Sequence, residues 1–268
     1  MKVAVCVIVK NENLYIREWV EYYKKLGFAK VILYDNNDSE GGEDILPVIQ
    51  DYIDSGFLIY HYYKDKKVCQ ADAYNECYRL YKDEYEWIAF LDADEFLYIN
   101  TKNINELLSK KCYDGKNAIK IAWRVYGDND HLHYSPEPVL KRFTKSPHMS
   151  ITHFAPNYKL ILRNNINYVC FTGPHFIATV PGLVICNSFG KIINNGSSII
   201  ASEFSNIYIK HIWCKSTEEF IKKISRGYPD QIVDKNVLKW QIKTYFMLNT
   251  PTEEKIKMVR DVFPNLDI

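Results

Sequence analysis

The chain has 268 residues and 47% hydrophobic content, enough for one large domain or two small ones around a sizeable core. Its 34 Lys and Arg against 33 Asp and Glu leave a formal net charge of +1, which excludes the basic excess that binds nucleic acid through its phosphates. No apolar run approaches the roughly 18 residues of a transmembrane helix, and the first strand-like run is too short for a signal peptide. Seven Cys without a Cys-x-x-Cys fit reduced, mostly buried thiols. The expected location is the cytoplasm, with attachment at the inner face of a membrane left open.

Val3–Val9 is a continuous apolar run, the pattern of a strand buried on both faces of a parallel sheet. Lys10-Asn11-Glu12-Asn13 breaks it, and Asn13 is placed to cap a helix over 14–26. Ile16, Trp19, Val20, Tyr23 and Leu26 recur there at helical spacing, and Gly27 stops the helix. A second strand over 30–34 runs into the polar loop Asp35-Asn36-Asn37-Asp38-Ser39. A short helix over 45–53 takes Pro47 in its first turn. A strand over 57–62, a helix over 68–81 and a strand over 87–91 follow. This β-α-β-α-β-α-β order predicts a parallel sheet with right-handed crossovers.

The fourth strand ends in Asp92-Ala93-Asp94-Glu95. Asp92 and Asp94 lie two apart, so in extended chain they share a face and suit a divalent cation gripping a diphosphate. Glu12, Asp35 and Asp92 each follow a strand's C-terminal end, the edge where open α/β sheets bind ligands. A sugar nucleotide would use these parts together: carboxylates after strands one and two for base or ribose, and Asp92 and Asp94 for metal and ribose beside the diphosphate. Gln70, Asp72 and Asn75 open the helix after strand three, where a helix N-terminus favours an anion. The chain has no Gly-x-Gly-x-x-Gly after strand one and no phosphate-binding Gly-x-x-x-x-Gly-Lys-Ser/Thr, which argues against dinucleotide and P-loop proteins.

Beyond residue 95, Thr101 is placed to cap a helix through 108, and a strand over 118–123 leads into the turn Tyr126-Gly127-Asp128-Asn129-Asp130. Residues 131–210 read as short antiparallel strands and loops without a clear helix. Ser216-Thr217-Glu218-Glu219 is a capping box, and Thr250-Pro251-Thr252-Glu253 reads as another, with Pro at the first helical position.

Several segments in register resemble the glycosyltransferase family 2 and family 92 group. They are Val7-Ile8-Val9-Lys10-Asn11-Glu12, Tyr15-Ile16-Arg17-Glu18-Trp19, Tyr34-Asp35-Asn36-Asn37 and the strand ending Leu91-Asp92-Ala93-Asp94-Glu95-Phe96. Later come Trp123 with Tyr126-Gly127-Asp128-Asn129, Lys141-Arg142-Phe143, Gly173-Pro174-His175-Phe176, and His211 with Lys215-Ser216, Glu218-Glu219-Phe220 and Arg226-Gly227. The resemblance is collinear over about residues 3–230. It implies an α/β domain of the GT-A type over 1–230, with a mostly parallel central sheet, flanking helices and antiparallel additions. The nucleotide-binding half would be 1–100, the acceptor-side half 101–230, and 231–268 a helical tail.

The resemblance also implies an inverting transfer from a nucleotide-activated sugar, often UDP-linked. Asp92 and Asp94 would be the metal pair, with Asp94 in direct contact, and Mn²⁺ or Mg²⁺ the cation. His211 would sit at the metal or diphosphate, and His175 has the same ambiguity. Glu12, Asp35, Gln70, Asp92 and Lys215 would hold the donor; Lys210, Lys141 and Arg142 are further cations for the leaving diphosphate. An inverting enzyme needs one general base and no nucleophile of its own. Asp128 is the candidate base, Asp130 its rival, and Glu95 an orienting acid. Trp123, Tyr126, Tyr134, Phe154 and Trp213 could stack on an acceptor sugar. His61, His131, His133, His148 and His153 read as structural or exposed.

The expected function is a metal-dependent glycosyltransferase acting on a glycan or lipid-linked acceptor in bacterial surface polysaccharide or glycoconjugate synthesis. One alternative is a non-catalytic sugar-nucleotide-binding scaffold. Another is a phosphohydrolase, which wants its Asp-x-Asp near the N-terminus and a Thr or Val where Phe96 stands. A nucleotidyltransferase wants a Gly-rich loop where Lys10-Asn11-Glu12-Asn13 lies.

Overall fold

A computed structural model describes residues 1–147, 158–195, 204 and 206–266. Phe154, His148 and His153 lie outside the described residues. The first half alternates strand and helix: β1 (Val3–Val9), α1 (Ile16–Lys25), β2 (Lys30–Asp35), α2 (Leu46–Asp54), β3 (Leu58–Tyr62), α3 (Gln70–Tyr81) and β4 (Trp87–Phe90). β1 pairs in parallel with both β2 and β4, and β2 with β3, so the four strands run in the order β3-β2-β1-β4. β1 and β4 are fully buried, as continuous apolar runs require when helices cover both faces. α1 and α2 pack Trp19, Tyr23 and Ile49 on one face, and α3 packs Tyr74, Cys77 and Tyr78 on the other.

The second half adds β5 (Glu95–Tyr98), α4 (Ile104–Leu108), β6 (Ala118–Val125), α5 (Val139–Arg142), β7 (Tyr158–Arg163), β8 (Ile185–Cys186) and β9 (Tyr208–His211). β7 joins β4 antiparallel and β6 joins β7 antiparallel; β9 then runs parallel to β6 and antiparallel to β5. The path is β3-β2-β1-β4-β7-β6-β9-β5, with β8 on β6. β5 pairs Glu95 with His211, which brings the acidic strand end and the His segment together.

The chain ends in α6 (Thr217–Arg226), α7 (Lys235–Leu248) and α8 (Glu253–Val262). Phe220, Ile224, Ile242, Tyr245 and Val259 form one core among these three helices, so residues 231–266 pack onto α6 rather than trailing from it. The capping box of α6 is present, with Ser216 and Glu219 satisfying each other's amides. Three other caps differ from expectation. Tyr15 takes the N-cap place of α1, and the Asn13 side chain instead donates to the Asp44 carbonyl at 2.8 Å. Asn103, not Thr101, caps α4, and Thr252 caps α8, which leaves Pro251 before the cap.

Candidate active site

At the C-terminal ends of β1 and β4 the chain forms an open cleft of about 1050 Å³, solvent at its mouth included. Glu12, Gln70, Asp92, Asp94 and His211, all expected at the site, line it together. Asp92 Oδ1 accepts from Lys159 Nζ at 2.7 Å, from Gln70 Nε2 at 2.6 Å and from the Tyr74 hydroxyl at 3.1 Å. Burial alone would raise its carboxyl, but Lys159 outweighs burial and holds it below the usual range. Asp94 is gripped through Oδ2 by Lys223 Nζ at 2.5 Å, while Oδ1 lies 3.6 Å from His211 Nε2. Burial again opposes its charge, and Lys223 with His211 drives the carboxyl well below its ordinary value. Glu95 next door is fully buried, its Oε1 without a hydrogen-bond partner among the described residues; burial pushes its carboxyl well up, and its Oε2 accepts from the Asp92 amide.

α6 supplies the basic wall. From its cap at Ser216, the spacing of Glu219, Lys223 and Arg226 puts all three on one helical face. Arg226 donates to the Asn11 carbonyl and to Glu12 Oε1, and its Nε is buried with no partner among the described residues. Glu219 anchors the face: it takes both Arg142 Nη atoms at 2.7 and 3.0 Å, the Tyr15 hydroxyl at 2.7 Å and Ser216 Oγ at 2.5 Å. The other wall carries His175, whose Nδ1 lies 3.0 Å from the Tyr158 carbonyl. A carbonyl only accepts, so Nδ1 bears the proton and Nε2 is the bare nitrogen. Burial, reinforced by Lys159, lowers its pKa to about 3, so the ring is neutral. Trp123 separates His175 from His211, with ring centroids at 4.8 and 4.3 Å. Trp213 and Trp240 complete an aromatic rim.

Several expected residues do not line the cleft, Asp35, Lys215 and Asp128 among them. Asp35 is fully buried and serves its own loop: it accepts from the Tyr60 hydroxyl at 2.8 Å and the Asn37 amide at 3.0 Å, with Lys64 Nζ at 3.7 Å. Lys215 stands one layer back, over the Tyr15 ring and 3.8 Å from Glu12. Asp128, expected as the base, is turned the other way. Its Oδ2 takes Lys255 Nζ at 2.8 Å and the Tyr245 hydroxyl at 2.6 Å, and its Oδ1 takes the Asp130 amide at 2.9 Å. A carboxylate saturated by a buried lysine from α8 is a structural clasp between the turn and the C-terminal helices. Asp130, its rival, also faces Lys255, at 3.4 Å. The N-terminus of α3 is likewise engaged: the Pro229 carbonyl accepts from the amides of Cys69 at 2.7 Å and Gln70 at 3.3 Å.

Lys159, Lys223, Asp230 and Trp240 were not singled out from the sequence. The helical spacing Glu219, Lys223, Arg226 and the single Lys in the apolar run Tyr158–Arg163 were signals for two of them.

A divalent cation fits this donor set in part from the protein and in part from a ligand. Asp94 is held anionic and His211 neutral by its burial, and the His211 Nδ1 is buried without a hydrogen-bond partner among the described residues. Among the described residues no group of three or more His, Cys, Asp or Glu is arranged to hold a metal alone. Phosphate oxygens and water would complete the shell, as is usual for hard cations bound together with a nucleotide.

An α/β domain with a mostly parallel sheet and one cleft at the strand ends has the architecture of a GT-A-like domain. The chain belongs to glycosyltransferase family 92, whose family model matches residues 1–239. It is similar to a family 92 protein of Ricinus communis, 25% identical over 146 residues, and to one of Oryza sativa subsp. japonica, 28% identical over 95 residues. These matches take in 53% and 35% of this chain but only 26% and 16% of those longer proteins. Among solved structures, residues 1–349 of TarS from S. aureus superpose at a TM-score of 0.41 with 13% identity, over 98% of this chain and 71% of that one. Among the described residues no helix is long and apolar enough to cross a membrane.

Proposed function

We propose that the domain transfers a sugar, with inversion, from a nucleotide diphosphate donor, UDP-linked first, to a hydroxyl of a glycan or lipid-linked acceptor. The observation that carries this reading is the convergence of Asp92, Asp94 and His211 with Lys223 and Arg226 in one cleft. Carboxylates and buried cations at such close quarters suit a ligand that brings both a metal and a diphosphate. Mn²⁺ or Mg²⁺, held by Asp94 and His211 with Asp92 beside it, would supply positive charge against the leaving diphosphate.

The chain's own residues do the rest. Lys223 shares Asp94 with the cation site and presents an ammonium to the phosphates. Arg226, on the cleft wall, suits a second phosphate oxygen through its guanidinium. Lys159 and Gln70 fix the Asp92 carboxylate on the cleft wall. Glu12, beside β1, lines the cleft and suits a ribose or base donor group. Asp35 and Lys215 would support this end from behind. Trp240, half exposed on the rim, offers a ring face to an acceptor sugar, together with Trp123 and Trp213. The proposed division is a nucleotide-binding half over 1–100 and an acceptor-side half over 101–230, with His211, Lys223 and Arg226 of the second half reaching across to the metal and diphosphate.

A panel of UDP- and GDP-sugars with Mn²⁺, scored for release of free nucleotide, tests the reading. Turnover of at least one donor, lost in Asp94→Ala, is expected. Silence across the panel would leave a non-catalytic binding module as the better account.

A further inference from the structure

Four carboxylates line the cleft: Glu12, Asp92, Asp94 and Asp230. Three are already held by cations. Glu12 is paired with Arg226 and lies 3.8 Å from Lys215, Asp92 is paired with Lys159 at 2.7 Å, and Asp94 with Lys223 at 2.5 Å. Lys159 and Lys223 hold the Asp92 and Asp94 carboxyls below their ordinary range. Of the four, Asp230 alone forms no ion pair among the described residues. It rides on the segment between α6 and α7, which Gly227 opens with φ +80°. The segment is pinned across the cleft by the Pro229 carbonyl on the first amides of α3. The charged groups facing Asp230 are Asp92, Lys159 and Lys223. Burial first, and Asp92 second, push its carboxyl up.

We infer that Asp230 is the general base of the transfer, an inference that rests on the glycosyltransfer reading above. As the acceptor oxygen bonds to the anomeric carbon, its proton passes to Asp230 Oδ. The bond from the anomeric carbon to the diphosphate oxygen breaks, and its electron pair leaves with the diphosphate. The proton then passes from Asp230 to solvent at the cleft mouth. Asp128 is excluded from this part by its clasp to Lys255, and the other three cleft carboxylates by their cations.

The test uses the whole chain with Mn²⁺. The donors are UDP-glucose, UDP-galactose, UDP-N-acetylglucosamine and GDP-mannose. The acceptors are 4-nitrophenyl glycosides of glucose, galactose, mannose and N-acetylglucosamine, and UDP is the binding probe. Asp230→Asn is expected to lower the transfer kcat about 10²- to 10⁴-fold, the usual contribution of a general base, while the Kd for UDP stays within about twofold. Asp230→Glu, which keeps the carboxylate, should recover part of the rate and the acid limb of the pH–rate profile that Asp230→Asn loses. Transfer by Asp230→Asn within about threefold of wild type would overturn the base assignment. So would a UDP Kd that weakens in step with the rate. A wild-type chain that neither binds UDP nor turns over any donor would overturn the transfer reading itself.

Discussion

Replacing Glu219 by Ala tests how the basic wall is held. Arg142 and Glu219 are 1% and 2% exposed in their side chains and joined by two hydrogen bonds at 2.7 and 3.0 Å. Removing the carboxylate strands a guanidinium in the interior, and breaking such a buried pair costs about 3–5 kcal/mol. It also removes half of the α6 capping box and the partner of the Tyr15 hydroxyl. In a domain of this size that loss lowers Tm by on the order of 10 °C. Urea unfolding at pH 7 measures it, with Arg142→Met and the double variant closing the cycle; the double variant should be no less stable than Glu219→Ala alone.

The pH dependence carries a sign. Burial works to raise the Glu219 carboxyl, but Arg142, Ser216 and Tyr15 hold it below its ordinary value. A depressed carboxylate contributes stability above its unfolded pKa of about 4.3 and loses it as pH falls through the lower folded value. The gap between wild type and Glu219→Ala should therefore be full near neutrality and narrow below about pH 4. A Glu219→Ala chain within about 1 kcal/mol of wild type at pH 7 would refute the buried-pair reasoning.

Asp94→Asn should abolish metal-dependent donor hydrolysis, read as nucleotide release, while leaving Lys223 folded against the Trp213 carbonyl that it also contacts. Arg226→Met should weaken UDP binding about 10- to 100-fold, the worth of a charge-assisted hydrogen bond, with Arg226→Lys recovering part in calorimetry. Trp240→Ala should raise the acceptor KM about 2- to 10-fold, as expected for the loss of an aromatic stacking surface, with little change in kcat. Thiol labelling of the native chain should modify the exposed Cys112 first and the half-buried Cys170 more slowly, and reach the five buried cysteines only on unfolding.

The first half of the fold was legible because its strands are continuous apolar runs and its helices amphipathic, so period and run length carry the answer. The Asp-x-Asp end was legible for the same reason: charge follows directly on a buried strand. β5 escaped notice since Glu95–Tyr98 is short and its pairing partner β9 lies far along the chain. Asp128 shows the limit for side chains. Its turn was readable, but the Lys255 that claims it comes from α8, and nothing local announces that meeting. Lys159 reaches Asp92 only through the antiparallel register of β7 on β4. Asp230 and Trp240 sit outside any recognisable motif, and their position depends on how α6 and α7 fold back over the sheet edge. Long-range contacts of this kind have no signature in spacing.

The central claim is that the cleft holds a nucleotide diphosphate through a cation on Asp94 and the basic face of α6. Calorimetric titration of UDP into the protein, with and without Mn²⁺, tests it most directly. Saturable one-to-one binding that requires Mn²⁺ and disappears in Asp94→Ala is the expected result. Binding that is unchanged in Asp94→Ala, or none by UDP or GDP with the metal present, would contradict it.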